Sequence, residues 1–191
     1  GAILKNHTAS PGKRGRPAGT TPGIHHCHLL MYTSNDISLR PVTTFAEWLD
    51  IEKITNGPAY LQYDPEKPMM TPAQQATFWR DFVETGQFII LGIYDRENSA
   101  LIGHITAFDF DPPLKTCEIG INVLPPENFG LGIGAAAIPL ALGFLKAQWD
   151  LASVHMLTHA SNIPSQKLFR KCGFKAVEWA EKDEVKMVYQ F

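Results

Sequence analysis

The sequence has little cysteine, little net charge and no long apolar run. Its 191 residues carry three cysteines, Cys27, Cys117 and Cys172. A set this small, odd and scattered excludes a disulfide framework and fits free thiols in a reducing, cytoplasmic setting. On that reading the Asn6-His7-Thr8 sequon carries no glycan. Seventeen basic and nineteen acidic residues leave a formal charge of −2, so the whole chain presents no electrostatic footprint for nucleic acid or a membrane surface. No apolar stretch approaches the roughly 20 residues of a membrane-spanning helix, and no signal-peptide core opens the chain. What is present is 45% hydrophobic and 19% charged, the composition of a soluble globular protein. The length suits one domain and an arm.

Residues 1–36 are the expected arm, rich in Gly, Pro, Ser, Thr and basic side chains that cannot build a core. Gly1 in place of Met reads as the scar of a removed tag, which makes Met31 a candidate start. Lys13-Arg14-Gly15-Arg16-Pro17 matches the core of a minor-groove AT-hook, but without flanking basic residues a solvated arm is the simpler reading. His25-His26-Cys27-His28 has metal-ligand residue types, yet adjacent positions cannot all converge on one ion. No metal site is expected.

From Ile37 to Phe191 the patterns become regular, and this span is read as the folded domain. Ser38–Val42 predicts a short strand. Thr44 and Glu47 form a capping-box pattern ahead of a helix to about Ile54, and Thr71 and Gln74 form a second ahead of a helix to about Thr85. Phe88–Tyr94, Leu101–Phe110 and Cys117–Leu124, joined by short polar turns, predict an antiparallel meander. A helix to Trp149, a strand at Val154–Thr158, a helix at Pro164–Lys171 and two closing strands at Lys175–Trp179 and Val185–Tyr189 complete an α/β order.

Between the meander and the long helix lies Phe129-Gly130-Leu131-Gly132-Ile133-Gly134. Glycine lets backbone approach a ligand closely, and the free N–H groups at a helix N-terminus suit a phosphate or pyrophosphate. The same turn equally suits tight packing of the helix on the sheet. No Lys-Ser/Thr pair follows, which excludes a P-loop. The position late in the chain, after a meander, excludes a Rossmann fingerprint.

The segment Asn162-Ile163-Pro164-Ser165-Gln166-Lys167-Leu168-Phe169-Arg170-Lys171-Cys172-Gly173-Phe174 decides between these readings. It resembles the GNAT acetyltransferase pattern of Asn, two residues, Ala or Ser, two residues, Leu-Tyr, two residues, Gly-Phe. The glycine turn resembles the acetyl-CoA loop of the same family, with Gly132 and Gly134 on its two glycines. Glu118-Ile119-Gly120-Ile121 is similar to the fourth strand of the branch that acetylates protein N-termini. The resemblance covers roughly Leu39 to Phe191. It implies a mixed, mostly antiparallel seven-stranded sheet with a splayed gap between the family's fourth and fifth strands, and about four helices.

By that resemblance the chain acetylates a primary amine, a protein N-terminus or a small molecule, using acetyl-CoA as cosubstrate and direct attack on the thioester. Glu118 is the candidate base, against a merely solvated Glu. Asn122, Val123 and Leu124 would pair with pantetheine, and the N–H near Val123 would stabilise the oxyanion. Phe129, Gly130, Leu131, Gly132, Ile133 and Gly134 would cradle the pyrophosphate. Asn162 would contact the cofactor or simply cap its helix, and Ser165 would contact it or pack. Cys172, His104 and His155 read as structural, with His159 a weaker acid/base candidate. Tyr60, Tyr63, Met69, Met70 and Trp79 are candidates for the acceptor side. Three residues depart from the pattern or strain it. Phe129 replaces a polar residue of the loop, Phe169 replaces the Tyr that in many members protonates the thiolate, and Pro139 is expected to kink or tighten its helix. The two Phe residues motivate an alternative, a GNAT fold that senses acyl-CoA without turnover. A homodimer is compatible with the family.

Overall fold

A computed structural model describes residues 32–33, 36–58, 69–124, 126–179, 181 and 183–191. The basic and histidine-rich motifs of the arm, Cys27, Tyr60 and Tyr63 lie outside those residues. In chain order the strands are β1 (Tyr32–Thr33), β2 (Ile37–Pro41), β3 (Ile89–Asp95), β4 (Leu101–Asp111), β5 (Thr116–Val123), β6 (Ser153–His159), β7 (Lys175–Val177) and β8 (Glu184–Gln190). The helices are α1 (Phe45–Thr55), α2 (Pro72–Phe78), α3 (Ile133–Trp149) and α4 (Ile163–Lys171). The strands form one sheet in the order β1-β2-β3-β4-β5-β6-β8-β7. Every neighbouring pair is antiparallel except β5–β6, which is parallel. Seven of these strands match the expected sheet; the eighth, β1, pairs Tyr32 with Leu39 from inside the stretch read as arm.

The helix starts follow from their caps. Thr44 Oγ1 accepts from the Glu47 N–H at 3.2 Å, while Glu47 reaches back to the Thr43 N–H and to Arg40. Thr71 and Gln74 close a reciprocal box, each side chain accepting from the other's backbone N–H. The second helix does not run on as α-helix to Thr85. From Trp79 to Val83 it widens into a π-turn, and the Glu84 N–H reaches back five residues to the Trp79 carbonyl. The extra residue in the turn re-aims the helix face, and both Trp79 and Val83 end buried.

The sheet buries both faces. Residues 89, 91 and 93 of β3 and 117, 119 and 121 of β5 point to one side, where α3 and α4 supply Ile138, Leu145 and Phe169 to the larger core. Ile90 points to the other side and joins Val42, Trp48, Ile51, Trp79 and Val83 from the α1–α2 layer. This is the period-two alternation of a strand. It fixes which side chains of β5 reach which layer: Cys117, Ile119 and Ile121 face α3 and α4, and Glu118, Gly120 and Asn122 face the α1–α2 side. Pro139 lies on the exposed side of α3 and does not interrupt it; the helix continues to Trp149.

Candidate active site

The parallel β5–β6 pairing has only three rungs: Thr116 with Ser153, Cys117 with Val154 and Glu118 with His155. Beyond them β5 stays bonded to β4 as far as Val123, and β6 stays bonded to β8 as far as His159. Each strand keeps its outer neighbour while the two diverge, so a wedge opens between Ile119–Val123 and Met156–His159. The Leu124 N–H donates to the Ile102 carbonyl on β4 at 2.8 Å. Alternation along the strand then turns the N–H and C=O groups of Val123, Ile121 and Ile119 toward the wedge.

That geometry narrows the expected pantetheine edge. Of Asn122, Val123 and Leu124, only Val123 turns its backbone to the gap. Leu124 also gives its carbonyl to Asn128 Nδ2 at 2.6 Å, and its side chain is fully buried. Asn122 faces the α1–α2 side, where its amide lies 3.2 Å from His104 Nε2 in a buried contact. With Val123, the residues of β5 whose backbone groups face the gap are Ile119 and Ile121.

The glycine turn follows the end of β5 at which the wedge is open. A short 3-10 turn, Pro126–Asn128, leads into it, and the Asn128 amide ties the turn to the end of β5. Gly130 and Gly132 have φ of 81° and 84°, and a Cβ added at either would meet nothing within 4 Å. Glycine is required there by backbone conformation alone. Gly134 differs: it is buried, and a Cβ on it would come within 2.8 Å of Leu168 Cδ2 on α4. This third glycine sits at a packing contact, where a Cβ would displace the tip of the Leu168 side chain, the alternative the sequence left open. Gly132 is the N-cap of α3 and makes no side-chain cap. The first intrahelical bond is Ala136 N–H to Gly132 carbonyl, which leaves the N–H groups of Ile133, Gly134 and Ala135 available to an anion. Phe129 and Leu131 are exposed on the turn.

On the opposite wall, Asn162 is the N-cap of α4 and accepts from the Ser165 N–H at 3.2 Å. This is the capping role considered for it. The hydroxyls of Ser165, in the first turn of α4, and Thr158, on the diverged half of β6, are buried without a hydrogen-bond partner. A buried unpartnered hydroxyl costs about 1–3 kcal/mol. Their position beside the wedge fits a polar chain that would satisfy them, as an extended pantetheine would. Phe169 is fully buried and packs edge-on against Phe174, with ring centroids 4.9 Å apart. It belongs to the core and offers no proton. Cys172 is half-buried, and burial raises its thiol pKa.

Glu118 sits at the apex of the wedge, its side chain 12% exposed, with Oε2 3.5 Å from His155 Nε2. Its cross-strand neighbour on β4 is Phe108, which stacks on Phe88 at 5.3 Å. The site therefore joins a carboxylate, an imidazole and an aromatic wall on the α1–α2 side to a backbone edge and a helix N-terminus. The Glu118–His155 contact was not legible beforehand. Its signal, two polar residues on facing strands, needs the parallel register to be seen. His159 lies away from this pair and bonds to Ser161 at 2.7 Å. Trp79 is buried against Phe45 and Trp48 and does not line a surface. Met70 packs against the same cluster, and Met69 is exposed. Among the described residues no group of three or more His, Cys, Asp or Glu is placed to hold a metal, and no helix is long and apolar enough to cross a membrane.

Comparison with known proteins places this geometry. The model of the acetyltransferase (GNAT) domain matches residues 36–175. No curated protein sequence matches the chain. Similar solved structures include spermidine N-acetyltransferase from Vibrio cholerae in complex with CoA and spermine, with a TM-score of 0.69 and 17% identity over 82% of this chain and 96% of that one. The "putative ribosomal-protein-serine acetyltransferase" of the same organism has a TM-score of 0.67 and 16% identity over 84% and 97%. A domain from Methanocaldococcus jannaschii DSM 2661 has a TM-score of 0.65 and 21% identity over 82% and 100%. At these identities the likeness is one of fold.

Proposed function

This chain belongs to the GNAT acetyltransferase family, and from that premise we propose that it acetylates a primary amine flanked by an apolar group, with Glu118 as proton acceptor. Acetyl transfer from acetyl-CoA is the family's activity. The single observation that carries the assignment of roles is the register of β5 and β6. Pairing stops at Glu118, so the carboxylate stands where the wedge begins and the cosubstrate's backbone edge starts.

Acetyl-CoA supplies an activated thioester carbonyl. The N–H groups of Ile133, Gly134 and Ala135, with the positive end of the α3 dipole, hold its pyrophosphate. Phe129 contributes no polar side chain to that cradle, which rests on main-chain donors. The edge of Ile119, Ile121 and Val123 pairs with pantetheine as an added strand would, and the Val123 N–H polarises the carbonyl. Glu118 accepts a proton from the amine, whose nitrogen attacks as a neutral group. The N–C bond forms, the C–S bond breaks, and CoA leaves as a thiolate, since Phe169 provides no acid; the second N–H proton of the attacking nitrogen leaves to that thiolate or to water, which yields the neutral amide.

The acceptor enters from the α1–α2 side, which Glu118 faces. Phe108 and Phe88 beside it favour an amine carried on apolar carbon, as at a protein N-terminus with an apolar first residue, or on an arylalkyl small molecule. The low net charge gives no general attraction for polycations. A cytoplasmic setting and self-association into at least a homodimer complete the reading. A dodecameric spermidine N-acetyltransferase from Vibrio cholerae among the similar folds supports the latter.

Thiol release from acetyl-CoA, measured against a panel of peptide N-termini, arylalkylamines and polyamines, tests the proposal. Apolar amines are expected to give the highest kcat/KM, and Glu118→Gln to lower it about 10²–10⁴-fold. Full turnover in that variant removes Glu118 from the role. A preference for polyamines removes the acceptor class.

A further inference from the structure

We propose that His155 is a positioning residue that relays the proton collected by Glu118 to solvent. The inference rests on the reading of Glu118 as proton acceptor. Three observations carry it. His155 is the register partner of Glu118 on the last rung before the strands diverge. Its Nε2 lies 3.5 Å from Glu118 Oε2, with the two side chains 16% and 12% exposed. Its neighbour on the other side, across β8, is Val188, which offers no competing polar group.

The chemistry needs such a partner. An alkylammonium has a pKa of roughly 8–10, and imidazoles as a class bind a proton about a hundredfold more tightly than carboxylates do. A proton left on a carboxylate returns readily to the amine, whereas one passed to an imidazole is held closer to the amine's own affinity. The ammonium N–H bond breaks and the proton goes to Glu118. The two side chains close from 3.5 Å to hydrogen-bond reach, and the Glu118 Oε2–H bond then breaks as the His155 Nε2–H bond forms. The resulting imidazolium loses its Nδ1 proton to water, leaving the carboxylate and an Nε2–H imidazole, and proton exchange with solvent restores the Nδ1–H tautomer whose Nε2 can accept again. No other reactant is consumed.

Alternation and register put His104, His159, Lys186, Glu184 and, on the outer strand β7 two strands from His155, Lys175 on the same face of the sheet. His104 is engaged with Asn122, His159 with Ser161, Lys186 lies over the Trp179 ring and Glu184 bonds to Trp179. In the layer packed over that face, Glu47 is paired with Arg40, Asp81 with Arg80, and Glu84 with the Trp79 indole. Tyr94 lies under Arg40. Of all these groups, His155 is the one that meets Glu118.

The test compares wild type, His155→Gln, His155→Ala and Glu118→Gln with one good amine across about pH 6–10. Acetyl-CoA binding by calorimetry and melting temperature serve as folding controls. His155→Gln is expected to lower kcat about 10- to 100-fold near neutral pH, less than loss of the base itself, with an unchanged KM for acetyl-CoA. Its rising limb should shift toward the amine's own pKa, and its rate should converge on wild type above that pH. Added imidazole should partly restore His155→Ala. A His155→Gln rate reduced by one constant factor at every pH, or an unmoved profile, overturns the relay. If Glu118→Gln keeps wild-type turnover, the underlying base reading fails instead. Loss in Glu118→Gln with an unmoved His155→Gln profile overturns the relay alone.

Discussion

The two kinds of glycine at the start of α3 should lose stability on substitution for different reasons and be rescued by different changes. Gly132 has φ of 84° and ψ of 0°, and a Cβ there meets nothing within 4 Å. The cost of Gly132→Ala is therefore conformational. An L-residue in the left-handed region costs about 1–2 kcal/mol, and at about 2–4 °C per kcal/mol for a chain of this size the melting temperature should fall roughly 2–8 °C. Asn tolerates this conformation better than Ala, so Gly132→Asn should lose less. Where the helix start is re-aimed, one hydrogen bond to a charged phosphate is forfeited. That costs about 1.5–3 kcal/mol and raises the acetyl-CoA Kd about 10- to 100-fold. Gly134→Ala should behave otherwise. Its Cβ lands 2.8 Å from Leu168 Cδ2, so its cost comes from overpacking and should shrink in combination with Leu168→Val. Differential scanning calorimetry and isothermal titration with acetyl-CoA read both effects. The reasoning is refuted if Gly132→Ala melts at or above wild type, if Asn is worse than Ala at 132, or if Leu168→Val rescues position 132 rather than 134.

Three further outcomes are expected. Asn128→Ala removes the 2.6 Å bond to the Leu124 carbonyl and should raise the KM for acetyl-CoA with little change in kcat; an equal loss in kcat would argue against a loop-anchoring role. Burial raises the Glu47 pKa, but hydrogen bonds from Arg40 and the Thr43 N–H outweigh it and the net shift is downward. A depressed carboxyl pKa contributes stability above the unfolded value and loses it as pH falls through the folded one. Glu47→Gln should therefore melt lower than wild type near neutral pH, with the difference shrinking as pH falls below the ordinary carboxylate range, as melting curves across that range would show. Cys117 is fully buried, and burial, with Glu118 adding to it, pushes its thiol up to about 12. Iodoacetamide mapping of the native protein should find Cys172 labelled well before Cys117.

What could be read from the chain was what depends on neighbours in sequence. The caps at Thr44 and Thr71 and the hairpins around Asp95 and Asp111 are set within a few residues, and they appear where expected. The features that needed the fold depend on contacts across long separations. The β5–β6 register joins Glu118 to a residue 37 positions on, and only that register reveals His155. Conformational and packing glycines are indistinguishable in Gly130-Leu131-Gly132-Ile133-Gly134 until φ and the position of Leu168 are known. Backbone direction separates Val123 from Asn122 and Leu124, and hydrophobicity carries no trace of it. The π-turn at Trp79, which leaves both Trp79 and Val83 buried, is likewise not encoded in local propensity.

The three-rung seam between β5 and β6 also divides the chain by order. Every strand on one side of it, β1 to β5, precedes residue 124, and every strand on the other, β6 to β8, follows residue 152. The molecule is thus two consecutive half-sheets, joined covalently through the glycine turn and α3. A ligand lying in the wedge touches both halves and works as a removable staple. By mass action its contribution to stability grows with the logarithm of its concentration. The pool of acetyl-CoA around the protein would then set how firmly the two halves are held together, apart from any role in turnover.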